Sequence, residues 1–248
     1  MPKMTKLSVN VNKIATLRNA RGENTPDLVS FVEHCESFGA QGITVHPRPD
    51  ERHVTLADTY NLAKVIQTEY NIEGFPDQRY LKIISDIKPH QATLVPDAEN
   101  VLTSNAGWDT IKHKSFLIDQ VAQIKECGSR VSIFVEPNNK IIENAKEIGA
   151  DRIEFYTGPY ADHFLSNKQS AIDPYIKAAL FANSCGLKIN AGHDLNLLNL
   201  SWFVKNMPFL DEVSIGHALM SDALYYGIEN SIQMYLKEIN KGKTNNKN

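Results

Sequence analysis

The chain has 248 residues, of which 42% are hydrophobic, and a formal net charge of −3 at pH 7. This acidic balance excludes the broad basic surface that is typical of nucleic-acid-binding proteins, so any anion site must be local. No run of about 18 apolar residues occurs, and the first residues lack the apolar core of a signal peptide. We therefore expect a cytoplasmic protein.

Short runs rich in β-branched residues alternate with amphipathic stretches along the whole chain. The predicted strands cover residues 7–11, 42–46, 71–74, 91–95, 130–136, 151–156, 187–191 and 212–216. Strict alternation of strands and helices predicts parallel strands with right-handed crossovers. Eight such units favour a closed (β/α)8 TIM barrel, because an open doubly wound sheet would usually carry a Gly-rich fingerprint after its first strand.

The barrel predicts a single catalytic domain over residues 1–240. The last helix is expected over residues 218–238, and the tail of residues 241–248, rich in Lys and Asn, is expected to fray. The stretch of residues 158–170 is longer than the usual connection after a strand, and we expect it to form a lid, with short extra helices or loops elsewhere.

The first loop after the first strand, residues 10–22, carries three cations and no carboxylate. These cations are Lys13, Arg18 and Arg21. In a net-acidic protein such a loop beside a pocket suits a phosphate or carboxylate ligand, which the Arg fork can bind through two hydrogen bonds. The alternative is a solvated loop with incidental cations.

Titratable side chains end the second, third and sixth strands. His46 can act as a general base near neutral pH, and Arg48 beside it can hold an anion. Glu73 and Glu154 are costly to bury unless they are paired or protonated. Burial therefore predicts either a cationic partner or a raised pKa for Glu73, and Glu154 is either a structural partner of a cation or a group that takes part in the chemistry.

The seventh and eighth strands end in Gly-His pairs, at the corner where such barrels usually bind phosphate. Gly192 precedes His193, and Gly216 precedes His217. These glycines permit close approach of backbone N–H groups to an anion, and a helix N-terminus that follows adds a favourable dipole. The two pairs on adjacent strands favour a phosphate site.

A metal site is the competing use of these side chains. The possible ligands are His46, His193, His217, Glu73 and Glu154. We do not expect a metal, because Asn10 and Asn12 stand where metal-dependent barrel hydrolases carry His-x-His on the first strand. A Schiff-base lysine is also not expected, since Lys188 lies early in its strand. The three cysteines, Cys35, Cys127 and Cys185, are expected to be buried, reduced thiols.

Taken together, these residues resemble the pyridoxine 5′-phosphate synthase family, barrel transferases that close the pyridine ring in vitamin B6 biosynthesis. The likeness extends from Leu7 to Glu238. The motifs that carry it are Asn10 and residues 14–22, residues 42–46 with Arg48, Arg52 and His53, residues 71–73 and 94–96, Glu154 with residues 157–158, residues 190–193 and residues 215–218.

The resemblance implies a condensation of 3-amino-2-oxopropyl phosphate with 1-deoxy-D-xylulose 5-phosphate, without metal or organic cofactor. It implies that His46 and Glu73 are general bases and that His193 is a general acid, with Glu154 in support. The implied ligands of the amino-ketone phosphate are Asn10, Arg21, Asp194, Gly216 and His217. The implied ligands of deoxyxylulose phosphate are Asn12, Lys13, Arg48, His53 and Thr103. The family also implies a homo-oligomer, an octamer built as a tetramer of dimers.

Three residues depart from the family pattern. Asn12 and Lys13 stand where better-known members have Asp and His, and Asp194 stands where they usually have Gly. Asn12 and Lys13 can still bind a hydroxyl or phosphate. A carboxylate at position 194 would repel phosphate, so we expect Asp194 to point away, to pair with Lys13 or to cap the next helix.

Two other functions remain open at this point. One is a phosphosugar lyase or isomerase on the same scaffold, which would turn over a single phosphorylated ketose. The other is a barrel that binds a phosphorylated ligand without catalysis, an idea motivated by Asn12, Lys13 and Asp194.

Overall fold

The computed structural model describes residues 4–96 and 106–244, and it contains a closed barrel of eight parallel strands paired in chain order. The strands are β1 (Lys6–Asn10), β2 (Gly42–Val45), β3 (Glu69–Gly74), β4 (Gln91–Leu94), β5 (Arg130–Val135), β6 (Arg152–Tyr156), β7 (Lys188–Gly192) and β8 (Leu210–Ile215). Strand β8 pairs with β1 and closes the barrel, so the predicted TIM barrel is confirmed.

Helices connect and cover the strands. They are α1 (Asn12–Asn19), α2 (Leu28–Ser37), α3 (Leu56–Leu62), α4 (Gln78–Ile87), α5 (Lys114–Glu126), α6 (Asn139–Ile148), α7 (Gly158–Phe164), α8 (Lys168–Ser184), α9 (Leu200–Asn206), α10 (His217–Tyr226) and α11 (Ile228–Thr244). In the described ranges, no helix combines the length and apolar character needed to cross a membrane.

Several sequence predictions differ from the structure in their details. Cys35 is buried as expected, whereas Cys127 and Cys185 are only partly buried. The first loop is largely the helix α1, and the expected lid segment contains the helix α7. The single last helix is divided at Gly227, which adopts φ 78° and separates α10 from α11. Helix α11 runs to Thr244, past the expected start of a frayed tail at residue 241, and residues 245–248 lie outside the described residues.

The strand alternation places two different sets of side chains on the two faces of the barrel wall. Outward positions such as Val9, Ile43 and Ile153 are fully buried beneath the helices. The inward positions are polar and hydrogen-bond across strands, with Ser8 2.8 Å from Thr44 and Thr93 donating to Asn71 at 2.9 Å. Because strand side chains repeat every two residues, this polar face continues to the carboxyl ends of the strands.

Arg18, which the sequence offered as a candidate anion ligand, has a structural role instead. Its guanidinium donates to both carboxylate oxygens of Asp58 on α3, at 2.6 and 2.7 Å, and the Arg18 side chain is only 9% exposed. Asp58 also caps α3 through Thr55. The ion pair therefore holds α1 against α3. The Arg18 guanidinium is bound to a carboxylate of the protein itself.

We expect Arg18→Met to lower the free energy of unfolding by about 3 kcal/mol, because it leaves a partly buried carboxylate without its partner. The matched control is Lys82→Met, which removes the exposed pair with Asp86 and should cost less than about 1 kcal/mol. Urea unfolding at one protein concentration measures both. Arg18 contributes to holding the pKa of Asp58 below its usual range, so the difference between wild type and Arg18→Met should shrink as the pH falls through that pKa. Equal losses in the two variants would contradict this role.

Candidate active site

A cavity of about 870 Å³ opens at the carboxyl ends of the strands. Twelve of the fourteen predicted site residues line it: Asn10, Asn12, Lys13, His46, Arg48, His53, Glu73, Glu154, His193, Asp194, Gly216 and His217. Arg21 is exposed and does not belong to the lining. Thr103 lies outside the described residues.

His46 is held at the end of β2 by the first turn after β1. Its backbone N–H donates to the Asn12 side-chain oxygen at 2.9 Å, and the N–H of Asn12 donates to the Asn10 side-chain oxygen at 3.1 Å. These contacts join the ends of β1 and β2. The amide at position 12 thus accepts a hydrogen bond as a carboxylate would, and its NH2 group remains a potential donor to a ligand.

The surroundings of His46 keep its imidazole neutral. The ring is buried, and this burial, followed by the nearby charge of Arg48, holds the pKa of His46 well below its ordinary value. A neutral imidazole can accept a proton at neutral pH. His46 therefore has the protonation state that a general base requires.

His53 has a defined tautomer in this site. Its Nδ1 accepts a hydrogen bond from the backbone N–H of Val54 at 2.9 Å, which leaves the proton on Nε2. Burial and the charges of Arg48 and Lys13 lower the pKa of His53 to about 4. His53 is consequently a neutral hydrogen-bond donor within a cluster of cations, which suits an anionic ligand.

Glu73 and Glu154 form a pair of carboxyl groups inside the mouth of the barrel. Glu154 on β6 is buried, and burial, then the charges of Glu73 and Glu212, hold its pKa well above the ordinary value. Within the described residues, the Glu154 Oε2 atom has no hydrogen-bond partner. Burial therefore favours the protonated form of Glu154, and Glu73 shares the cavity with it as a second carboxyl group.

Gly192 makes room for Glu154. A Cβ atom at Gly192 would lie 2.5 Å from the Glu154 Oε1 atom, and therefore only glycine fits at this point of β7 without displacing the carboxyl. His193 follows directly after Gly192. Gly192 therefore packs against the Glu154 carboxyl group, and His193 places its imidazole at the cavity.

His193 lies between aromatic rings at the end of β7. Its ring centroid is 5.3 Å from that of Tyr156, in an edge arrangement, and 6.3 Å from that of Phe134. Its Nδ1 lies 3.2 Å from the Asp194 Oδ2 atom. Asp194 thus pairs with the neighbouring histidine and not with Lys13, and the N-cap of the next helix α9 is Asn199. That its carboxylate points away from a bound phosphate stays a prediction.

The N-terminus of α10 faces the cavity at the end of β8. Gly216 is the N-cap, and no acidic residue occupies the first turn of this helix. Gly216 packs closely against β1, since a Cβ there would lie 3.1 Å from the Asn10 Cβ atom. Exposed N–H groups and the positive end of the helix dipole make this corner a suitable anion site.

The three cations of the first loop lie in different surroundings. Lys13 lines the cavity, Arg18 pairs with Asp58 and Arg21 is exposed outside the lining. Arg52 also lines the cavity, where it pairs with Asp50 through a 2.6 Å hydrogen bond. The sequence could not separate these cations, because their roles depend on which helix each one faces.

The other lining residues were not among the predicted site residues. They are Thr16, Arg52, Val95, Phe134, Tyr156, Ala161, Asp162, Leu195, Asn196, Ser214, Ile215 and Ala218. Tyr156 ends β6 on the same face as Glu154, so the period of two residues was the signal that could have found it. Within the described residues, no group of three or more His, Cys, Asp or Glu side chains has an arrangement suited to a metal ion.

Comparisons with known proteins agree on one family. The family model described as pyridoxal phosphate biosynthesis protein PdxJ matches residues 7–241. A pyridoxine 5′-phosphate synthase from Cytophaga hutchinsonii is 60% identical over 96% of this chain and 100% of its own length. One from Christiangramia forsetii is 56% identical over 94% of this chain and 99% of its own length.

A more distant structural likeness concerns the fold alone. The structure of orotidine 5′-monophosphate decarboxylase from Methanocaldococcus jannaschii superimposes with a TM-score of 0.61 at 13% identity, covering 96% of this chain and 100% of that chain. Folds of this kind carry many chemistries, so the site residues have to be argued from their own geometry.

Proposed function

This chain belongs to the PdxJ family of pyridoxal phosphate biosynthesis proteins, and from that premise we propose that it is a pyridoxine 5′-phosphate synthase acting in the cytoplasm. Its substrates are 3-amino-2-oxopropyl phosphate and 1-deoxy-D-xylulose 5-phosphate. The observation that carries the proposal is the meeting of His46, Glu73 and His193 in one cavity that also has a cationic wall and a helix N-terminus.

Two phosphorylated substrates need two separate anion sites. Arg48, His53 and Lys13 supply positive charge and hydrogen-bond donors for deoxyxylulose phosphate, together with Asn12. The amino-ketone phosphate binds across the cavity, at Asn10 and the α10 N-terminus with Gly216 and His217. Two sites on different strand ends place the amine of one substrate beside the ketone of the other.

The condensation requires several proton transfers at different atoms. The amine attacks the ketone and water is lost, phosphate is eliminated, and an aldol-type step closes the ring. His46 is neutral and accepts protons, Glu73 is the second base, and His193 protonates the oxygen that leaves as water. Glu154 supports them as a neutral acid whose proton can be donated to the cavity.

Excluding bulk water protects imine intermediates from hydrolysis. Ala161 and Asp162 of α7 line the cavity, and α7 lies in the segment expected to act as a lid. We assign α7 this covering role. Arg21, Asp194 and Thr103, the three remaining predicted ligands, stay predictions.

The proposal is tested by incubating the pure protein with both phosphates and following pyridoxine 5′-phosphate by its absorbance. Product should form only when both substrates are present. His193→Gln should abolish most of the turnover while both substrates still bind. Binding of both substrates to wild-type protein without any product would overturn the proposal.

The same proposal includes a homo-oligomer, an octamer by family resemblance. Two aromatic side chains of α9 pack on the barrel: Trp202 is partly buried against the core, and Phe203 is fully buried with its ring 4.9 Å from that of Tyr160. The large exposed apolar side chains lie elsewhere, including Leu224 and Tyr225 on α10, which are 76% and 85% exposed. Exposed apolar groups of this size favour contact with another copy.

We expect light scattering to give the mass of eight 27.8 kDa chains. The double change Leu224→Glu and Tyr225→Glu should lower that mass, because charge opposes burial of this surface. The control Leu180→Glu alters an exposed residue of α8. A wild-type monomer would contradict the oligomer and leave the catalytic proposal to its own test.

A further inference from the structure

Resting on the proposed function, we propose that Asp194 is the positioning residue of the proton donor His193. The carboxylate fixes the tautomer of the imidazole, so that Nδ1 carries its proton toward Asp194 and Nε2 is the nitrogen that exchanges protons with the substrate.

The backbone at these two residues adopts a conformation that side chains rarely take. His193 has φ 82° and Asp194 has φ 57°, both in the left-handed region. Neither residue is glycine, so both pay a conformational cost. Such a conformation persists only where the surroundings hold it, and strained positions of this kind concentrate at functional sites.

Hydrogen bonds from two neighbouring segments hold this turn. The Thr157 hydroxyl lies within hydrogen-bonding distance of the carbonyl oxygens of Gly192, at 2.7 Å, and of His193. The Asn199 Nδ2 group donates to the Asp194 carbonyl at 3.1 Å. The end of β6 and the turn before α9 thus fix the carbonyls on both sides of the His193 to Asp194 peptide.

The imidazole is held by three contacts of different kinds. Tyr156 and Phe134 flank its ring, and the Asp194 Oδ2 atom lies 3.2 Å from Nδ1. The hydrogen bond from His193, more than any other contact, holds the pKa of Asp194 below its usual range, and the charge of His217 adds to the effect. The carboxylate is therefore ionised at neutral pH and acts as a hydrogen-bond acceptor only.

This arrangement defines where the proton goes in the dehydration step. The Nε2–H of the imidazolium donates its proton to the substrate hydroxyl, whose C–O bond breaks, and the oxygen leaves as water. The ring is left neutral with its remaining proton on Nδ1, shared with Asp194. Without an acceptor at Nδ1, the neutral ring can hold its proton on Nε2 instead and is then in the wrong form to take up the next proton there.

Two substitutions separate this role from folding, because Gly and Asn both tolerate a left-handed φ. Asp194→Gly removes the acceptor and should lower kcat about 10- to 100-fold, part of the usual contribution of a general acid, with both KM values within about twofold. Asp194→Asn keeps an acceptor oxygen and should restore kcat to within about fivefold of wild type. Circular dichroism should be the same for all three proteins.

Nitrogen-15 NMR of histidine-labelled protein reads the tautomer directly, with the His193 signals assigned by their loss in His193→Gln. We expect the Nδ1–H form in wild type and Asp194→Asn, and a shift toward Nε2–H in Asp194→Gly. An Nε2–H tautomer in wild type, or full kcat in Asp194→Gly, would overturn the inference. If wild type made no product, the function would fail, yet the NMR comparison would still decide whether Asp194 sets the tautomer.

Discussion

Glu73→Gln should lower kcat about 1,000-fold while changing the KM of either substrate little. Removing a general base typically costs between 10² and 10⁴ in rate, and the amide keeps the volume of the side chain. Glu73 ends β3 inside the cavity, where its charge contributes to the raised pKa of Glu154. The substitution therefore removes one base and also lowers the pKa of the neutral acid beside it.

The matched control for this change is Glu126→Gln, which neutralises an exposed carboxylate at the C-terminus of α5. It should leave kcat within about twofold, because a surface charge far from the cavity is screened. Steady-state kinetics with both phosphorylated substrates gives the comparison. A Glu73→Gln protein within tenfold of the wild-type kcat would remove Glu73 from the catalytic set.

Arg48→Gln should raise the KM for deoxyxylulose phosphate about 100-fold and leave the KM for the amino-ketone phosphate nearly unchanged. Losing one charge-assisted contact to a phosphate typically costs about 2 to 3 kcal/mol, which corresponds to this factor. Arg48 is 5% exposed in the cavity wall. Arg48→Lys keeps the positive charge but lacks the planar guanidinium group. Its KM for deoxyxylulose phosphate should therefore lie between those of wild type and Arg48→Gln.

The same substitution should move the pH profile in a defined direction. After burial, the charge of Arg48 is the largest cause of the lowered pKa of His46, and it also lowers that of His53. Removing it raises the pKa of His46 toward its ordinary value, so the imidazole becomes protonated at a higher pH. The rate of Arg48→Gln should therefore begin to fall, on acidification, at a higher pH than that of wild type. An unchanged acid limb would mean that the proton of His46 does not limit the rate.

The strands were predictable because burial and period leave a strong pattern. All eight were found in order, and their observed ends differ from the predicted ends by at most two residues. Knowing the strand ends was sufficient to place His46, Glu73 and His193 at the same mouth, because all parallel strands end on the same side. These three residues of the site could thus be predicted from local sequence patterns.

The partners of two charged side chains could not be predicted from the sequence. Arg18 looked like an anion ligand, and only the position of Asp58, forty residues later, shows its structural partner. For Asp194 the expected partners were Lys13 or the next helix, whereas a left-handed turn directs its carboxylate back to the preceding histidine. In a strained turn, the direction of a side chain does not follow a periodic sequence pattern. It therefore could not be predicted from the sequence.

The central claim is that this cavity joins two phosphorylated substrates by acid and base catalysis. Phosphorus-31 NMR of one reaction mixture tests it most directly, because it follows both substrates, the product and free phosphate together. We predict that one orthophosphate is released for each pyridoxine 5′-phosphate formed. When either substrate is left out, the phosphorus-31 spectrum of the other should not change. Release of phosphate or a new phosphorylated sugar from deoxyxylulose phosphate alone would contradict the claim and indicate a single-substrate lyase or isomerase.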